Sequence, residues 1–238
     1  DILCLQECKA PVEKIPHGVF SEMGYAHMVA RGQKGYNGVA ILSKRPIADA
    51  GGMDFADLGH ARHVAGRLED GTIIHNFYVP AGGDIPDPDA NDKFRHKLDF
   101  LDALTAWSGA HKTKTKNRLI LVGDLNVAPL PTDVWSHRQL LKVVSHTPPE
   151  TERMAQLLAS HDWIDVMRRH VPPEETLFTW WSYRNRDWRL SNRGRRLDHI
   201  WTTPALDDAT VAMRVLEETR DWERTSDHVP VISDFELD

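Results

Sequence analysis

The chain predicts a layered α/β (α+β) domain, and three features of the sequence predict it. Short runs of aliphatic and β-branched residues recur from one end to the other. Helical periodicity is confined to a few segments. Several strand-like runs follow one another with no helix between them, which fits sheets stacked in layers better than a strict strand–helix–strand repeat.

Taken in order, "DILCLQE" (1–7) reads as a short buried strand that ends on Glu7. "GVAILSK" (38–44) and "GTIIHNFYV" (71–79) follow, each introduced by glycine and rich in β-branched or aromatic residues. "AGGDIPDPDAND" (81–92) is a long proline- and glycine-rich loop of the sort that carries function. In "NDKFRHKLDFLDALTAWSGA" (91–110), Phe94, Leu98, Leu101, Leu104 and Trp107 recur at helical spacing with charges elsewhere, which predicts an amphipathic helix. "HKTKTKNR" (111–118) is a solvated turn. "RLILVGDLNVAP" (118–129) opens as a buried strand and stops at Pro129. "TERMAQLLASH" (151–161) is a second helix, capped by Thr151, and "DWIDVMRRH" (162–170) is a third helical candidate. "RLDHIWTT" (196–203) and "VPVISDFEL" (229–237) complete the strands.

Composition agrees with a packed protein. Hydrophobic residues are 41% and charged residues 27%, which excludes a disordered chain. A net charge of −6 argues against a protein that coats itself in nucleic acid, though not against a local groove. Such a groove has a candidate in "RNRDWRLSNRGRR" (184–196), with six arginines against one aspartate, where the alternative is a solvated loop. No apolar run approaches the ~20 residues that span a bilayer, and no signal-peptide pattern opens the chain. Cys4 and Cys8, if both lie on a strand, sit roughly 13 Å apart, too far for a disulfide. One domain over 1–238, a monomer in a reduced cytoplasmic setting with no membrane partner, is the expectation.

Polar residues collect at the strand ends. Asp124 and Asn126 are two apart, so on a strand they face the same way, roughly 7 Å from each other. Glu7 ends the first strand, Tyr78 ends "IIHNFY", Asp198 interrupts "RLDHIW", and Asp227-His228 precedes the last strand. Each has a bland alternative: a solvated glutamate, an Asx turn, a cap, half-buried packing. Together, the carboxylates of Glu7, Asp124, Asp198 and Asp227, the amide of Asn126 and the imidazole of His228, with no thiolate, describe a site for a hard cation. Magnesium or manganese suits it better than zinc, for which no paired-cysteine or His-x-x-x-His motif is present.

Five motifs in order bring a family into view. "DILCLQECK", "GQKGYNGVAILSK", "GDLNVAP", "NRGRRLDHIWTT" and "TSDHVPV", with the aromatic "LFTWWSYR", resemble the exonuclease III family of DNA-repair nucleases, in the endonuclease/exonuclease/phosphatase superfamily. The resemblance covers essentially the whole chain. It implies a four-layer sandwich, two mainly antiparallel sheets packed face to face with helices outside and a metal site at one edge. It implies incision 5′ to abasic sites and removal of nucleotides from 3′ ends of duplex DNA.

By that resemblance Glu7, Asp124, Asn126 and Asp227 serve the metal. Asp124 activates or orients the attacking water, and Asn126 holds Asp124 and the phosphate. His228 donates to a phosphoryl oxygen or takes a proton, with Asp198 fixing its ring, and Tyr78 donates to the phosphate or acts as a phenolate. Lys34, Tyr36 and Asn37 suit backbone contact with DNA, Asn192, Arg193 and Arg195 suit phosphate contact, and Phe178, Trp180, Trp181 and Trp188 suit a pocket wall or wedge, with core packing as the alternative for some of them.

The chain also departs from the family. Members begin with a further strand ending in an asparagine near the metal, whereas this chain opens at "DILCLQE". An N-terminally truncated domain, short of one strand and one amide, is therefore expected, with reduced stability and activity; a version extended at the N-terminus is expected to melt higher. "DVMRRH" and the final Thr of "IWTT" depart from the usual signatures more mildly. The rival readings are a superfamily phosphoesterase acting on a phospholipid or inositol phosphate, and a catalytically impaired DNA-binding relative. The arginine-rich stretch beside two tryptophans disfavours the first, and the set of acidic residues disfavours the second.

Overall fold

The computed structural model describes residues 1–112, 117–185 and 187–237. Residues 113–116 of the expected turn at 111–118, and Arg186 of the basic stretch, lie outside the described residues. The strands are β1 (Ile2–Leu5), β2 (His27–Arg31), β3 (Val39–Ser43), β4 (Ile47–Gly51), β5 (His63–Leu68), β6 (Ile73–Tyr78), β7 (Leu119–Asp124), β8 (Ile164–Asp165), β9 (Trp180–Trp181), β10 (Gly194–Arg195), β11 (Asp198–Thr202), β12 (Thr210–Val215) and β13 (Val231–Phe235). The helices are α1 (His17–Glu22), α2 (Asp92–His111), α3 (His137–Leu140), α4 (Pro148–Ser160), α5 (Val166–His170) and α6 (Trp188–Ser191).

Six strands form the central sheet in the order β4-β5-β6-β7-β11-β8. Its pairs are antiparallel except β6 with β7, which run parallel because α2 crosses over between them. Alternation then sorts the side chains. Phe77, Leu119, Leu121 and Trp201 face one way, onto Phe100, Leu101 and Leu104 of α2 and Met154 and Leu157 of α4. Ile74, Ile120 and Ile200 face the other way, onto Val39 and Ile41 of β3 and, at the margin, Val215, Val231 and Phe235 of β12 and β13. The second layer is thus the sheet β1-β3-β2 beside the hairpin β12-β13. On the outer side of β3, Ala40 and Leu42 meet Ile15 and Phe20, so α1 closes a fourth layer. The sandwich with outer helices is the expected architecture.

Local chemistry explains where the elements differ from expectation. Helix α4 starts earlier and is capped by Thr147, not Thr151: Thr147 N–H donates to Glu150 Oε2 at 3.0 Å, and prolines fill the first turn, where no N–H is needed. The third helical candidate divides into β8 and α5, because Asp165 leaves the strand and caps the helix, accepting from Arg168 N–H at 3.2 Å. β2, β4, β5 and β12 have weak signals. β4 ("IADAG") holds Ala, Asp and Gly, and β5 is interrupted by Gly66, where a Cβ would come 2.3 Å from Ile47 Cδ1. Pairing, not propensity, makes these strands. Cys4 and Cys8 are free thiols. Among the described residues no helix is long and apolar enough to cross a membrane.

Candidate active site

Register builds the site. Tyr78 on β6 pairs with Asp124 on β7, and Asp124 pairs with Asp198 on β11. Adjacent strands lie ~4.8 Å apart, so these three side chains stand in one row at one end of the sheet. Gly123 permits the close approach: a Cβ there would lie 2.0 Å from Phe77 O, and its φ of +133° suits glycine. The chain then turns. Asn126 takes a left-handed φ of +55°, its N–H donates to Asp124 Oδ1 at 2.9 Å, and its Nδ2 donates to Asp124 Oδ2 at 2.9 Å and Val79 O at 2.9 Å. Asp124 and Asn126 are therefore in direct contact, not 7 Å apart on a continuing strand. The Asx turn is what brings them together. With both oxygens of Asp124 engaged and Asn126 Nδ2 spent, the Asn126 Oδ1 atom has no donor among the described residues.

The other residues arrive from two directions. Thr179 Oγ1 accepts from Asp198 N–H at 3.1 Å, while Val229 N–H bonds to Thr179 O and Trp181 N–H to Asp227 O, which sets Asp227-His228 beside β11. His228 Nδ1 donates to Asp198 Oδ2 at 2.9 Å, and Nε2 lies 3.8 Å from Asp124 Oδ2. Ligand atoms of Asp124, Asp198 and His228 lie within 4.8 Å of one another. Glu7 comes across from the second layer, where it accepts a hydrogen bond from the Tyr78 hydroxyl and pairs with Lys9 at 2.8 Å. Asp227 stands at the margin and accepts from Trp180 Nε1 at 2.9 Å.

The electrostatics follow from crowding. Burial pushes the Asp124 carboxyl up; the His228 charge opposes this, and Asp198 and Glu7 add to the rise. Burial works against charge on His228, yet Asp198 and Asp124 lift it above its ordinary value. Burial raises Glu7 as well, but hydrogen bonds from Lys9 and Tyr78 outweigh it and hold the carboxyl low. Burial, then Glu7, pushes the Tyr78 phenol up, which favours the hydroxyl as a donor. Mutually repelling carboxylates with an open amide oxygen beside them are what a hard divalent cation would relieve, so the residues present fit one.

The surrounding residues divide. Lys34 and Tyr36 are exposed on a loop zipped to the Cys8–Ala10 segment, with Lys9 N–H bonding to Asn37 O at 2.8 Å and Gly35 N–H to Lys9 O at 3.0 Å. Asn37 is buried, at a φ of +54°, and its Nδ2 donates to Gln33 Oε1, so it shapes this loop from within. The sequence places Trp181 in a substrate wall. The structure buries it instead, 1% exposed, between Phe178 and Trp188, with its Nε1 donating to Asn192 Oδ1 at 3.0 Å. The half-buried Trp180 has the open position, under the Arg195 guanidinium, and Arg193 covers Trp135.

Two contributors escape sequence reasoning. Arg62 lies 4.8 Å over the Tyr78 ring and donates to Tyr78 O at 3.1 Å, which adds a cation to the acidic row. Asn76, fully buried, donates to Leu5 O and Ala40 O and so bolts β1 and β3 to the central sheet just below Glu7. Its one signal is an amide in the inward row of an apolar strand, between Ile74 and Tyr78.

Comparison with known proteins agrees with this arrangement. The profile of the Endonuclease/Exonuclease/phosphatase family matches residues 1–228. The chain is 29% identical to exodeoxyribonuclease III of Haemophilus influenzae, over 99% of this chain and 90% of that protein. It superposes on a Neisseria 3′ phosphatase, NExo, solved with a product DNA hairpin, with a TM-score of 0.88 and 33% identity over 100% of this chain and 89% of that one. An AP endonuclease from Archaeoglobus fulgidus gives a TM-score of 0.89 and 31% identity, with the same coverage. The chain belongs to the Endonuclease/Exonuclease/phosphatase family, and its relatives there are the exonuclease III and AP endonuclease nucleases of DNA repair.

Proposed function

We propose that this protein is a magnesium-dependent phosphodiesterase, with manganese as the alternative ion, that incises duplex DNA 5′ to abasic sites and removes nucleotides from 3′ ends, acting as a monomer in the cytoplasm. The observation that carries the reading is the row Tyr78–Asp124–Asp198 with His228 docked on Asp198. Glu7, Asp124, Asn126 Oδ1 and Asp227 would hold the ion, which when bound neutralises phosphate charge and steadies the leaving oxygen.

The chain's own residues do the rest. Asp124 Oδ2 orients the attacking water and takes its proton. Asn126, bonded to both ends of Asp124's reach, keeps that oxygen aimed. His228 is held by Asp198 with Nε2 toward Asp124, so it donates to a phosphoryl oxygen as charge builds there. Tyr78 and Arg62 offer a hydroxyl and a guanidinium to the same phosphate. Lys34, Tyr36, Arg193 and Arg195 grip the flanking backbone, and Trp180 lines the place for the abasic sugar.

The test is a labelled duplex with one abasic site, incubated with magnesium and with EDTA. Incision 5′ to the site with the metal alone supports the reading; binding without cutting, or cleavage only of a phospholipid or inositol phosphate, overturns it. The similarity to a Neisseria 3′ phosphatase favours a second activity at the same centre, removal of a 3′ phosphate, which a duplex ending in that group reads directly.

A further inference from the structure

We propose that Lys97, through its buried pairing with Glu150, is a positioning residue that holds the Asn126 turn in its working conformation and ties it to the segment holding Arg195. The inference rests on the reading above only for what the site does; the geometry stands apart from it.

Lys97 projects from α2 and Glu150 from α4, and both side chains are fully buried, 2.5 Å apart. Removing two charges from water costs several kcal/mol each, and a well-packed apolar pair of the same volume is often as stable or more so. Strength alone does not account for an ion pair here. Direction does. The ammonium has three protons and three acceptors: Glu150 Oε1, Asn126 O at 2.7 Å and Ala81 O at 3.3 Å.

Each acceptor belongs to a different part of the site. Asn126 sits in the left-handed region, which a non-glycine residue visits rarely and at a cost, so something must hold it there. Fixing its carbonyl on Lys97 fixes the peptide plane that follows it. The amide of the same residue then meets Asp124 Oδ2 and Val79 O. Ala81 lies three residues past Tyr78, so one ammonium restrains the exits of both β6 and β7. On the far side, Glu150 accepts from Ser145 N–H at 2.9 Å, Thr147 N–H at 3.0 Å and the Thr147 hydroxyl at 2.6 Å. Ser145 Oγ in turn accepts from Arg195 Nη1 at 2.7 Å. The Asn126 turn and the anchor of Arg195 thus hang on the same pair of charges. An apolar substitute would fill the space and lose the aim.

The experiment compares wild type with K97M and with K97M/E150Q, which removes the buried charge on both sides so that the fold does not have to harbour an unpaired one. Folding is checked by melting. The first readout is hydrogen exchange at the Asn126 backbone amide, which donates to Asp124, against that of Leu121 in the core of β7. Exchange at Asn126 rising about tenfold or more while Leu121 stays protected is expected. The second readout is cleavage of the abasic duplex, where kcat falls about tenfold or more and KM stays within about twofold. Unchanged exchange at Asn126, or faster exchange with unchanged kcat, overturns the inference. A wild type that does not cut, with Asn126 loosened in the variants, overturns the nuclease reading and leaves Lys97 holding the turn.

Discussion

Nδ1 of His228 donates to Oδ2 of Asp198 at 2.9 Å, across 30 residues of sequence, and the other ring nitrogen lies 3.8 Å from Asp124. The imidazole is held between two carboxylates, its orientation set by one and its working edge turned to the other. Replacing Asp198 by Asn keeps the shape but weakens that hold. D198N is expected to lower kcat on an abasic duplex by roughly 100-fold or more with little change in melting temperature. An unchanged kcat counts against the role given to the pair.

Relief of the crowded carboxylates is measurable without DNA. A divalent cation that binds only the folded state at about 100 times its Kd adds about 2.7 kcal/mol of stability. In a chain of this size that is on the order of 5 to 10 °C in melting temperature. Magnesium is expected to raise the melting temperature by scanning calorimetry, and D124N to abolish the shift. A wild type indifferent to magnesium would contradict the cation site.

A buried histidine pair makes stability depend on pH. Met53 N–H donates to His63 Nδ1 at 3.1 Å, so His63 carries its proton on Nε2 and donates it to His75 Nδ1 at 3.1 Å. A further proton on either ring has no acceptor to meet among the described residues, and burial holds His75 down at about 3 and His63 well below its ordinary value. Both pKa values are depressed on folding, so the unfolded chain takes up protons first as pH falls below its value of ~6.5. The stability these neutral rings contribute is present above that pH and lost below it. Between pH 7.5 and 5.5 each ring is expected to cost about 1.4 kcal/mol in urea unfolding, and H75F to flatten the slope.

The two tryptophans of β9 separate packing from binding. W181A removes a buried ring and is expected to cost roughly 3 to 5 kcal/mol of stability. W180A removes a half-buried ring at the edge of the cluster of Ala128, Val134, Leu140 and Leu197, so the main effect expected is a higher KM for abasic DNA with a smaller fall in melting temperature than for W181A. The reverse ranking by thermal melts and steady-state kinetics would exchange their assignments.

Lys34 is exposed on its loop, so K34A is expected to leave the melting temperature unchanged. If it meets a phosphate, binding weakens alike for all duplex sequences, and the slope of log K against log salt shrinks by about one. An unaltered salt slope would remove Lys34 from the DNA surface.

Much of this was legible because the relevant chemistry is local. Asp124 and Asn126 after an aliphatic run, Glu7 at a strand end and Asp227-His228 before Val-Pro are each visible as polar residues where packing asks for none. A layered α/β domain could be read from strand runs that follow one another without a helix, and the two-sheet sandwich came from the resemblance of the five motifs to a known family. Lys97 was less visible: it falls on the apolar face of α2, between Phe94 and Leu101, where it reads as one more charge on an amphipathic helix. Arg62 has no pattern of its own. Trp180 and Trp181 differ by one position, and only strand pairing says which of two opposite faces is the core.

The sequence by itself determined the strongly patterned elements, among them β1, β3, β6, β7, β11, β13 and α2, and the chemical kinds at their ends, because alternation, helical spacing and turn residues act over a few positions. The tertiary structure alone decided which ends meet: the register that aligns Tyr78, Asp124 and Asp198, the layer packing that brings Glu7 across, and the buried ion pair that steadies Asn126. Those are contacts between segments far apart in the chain, Asp124 with Asp198 and Glu7 with Tyr78 among them. They depend on the summed burial and pairing of the whole chain, and no short stretch of residues contains that information.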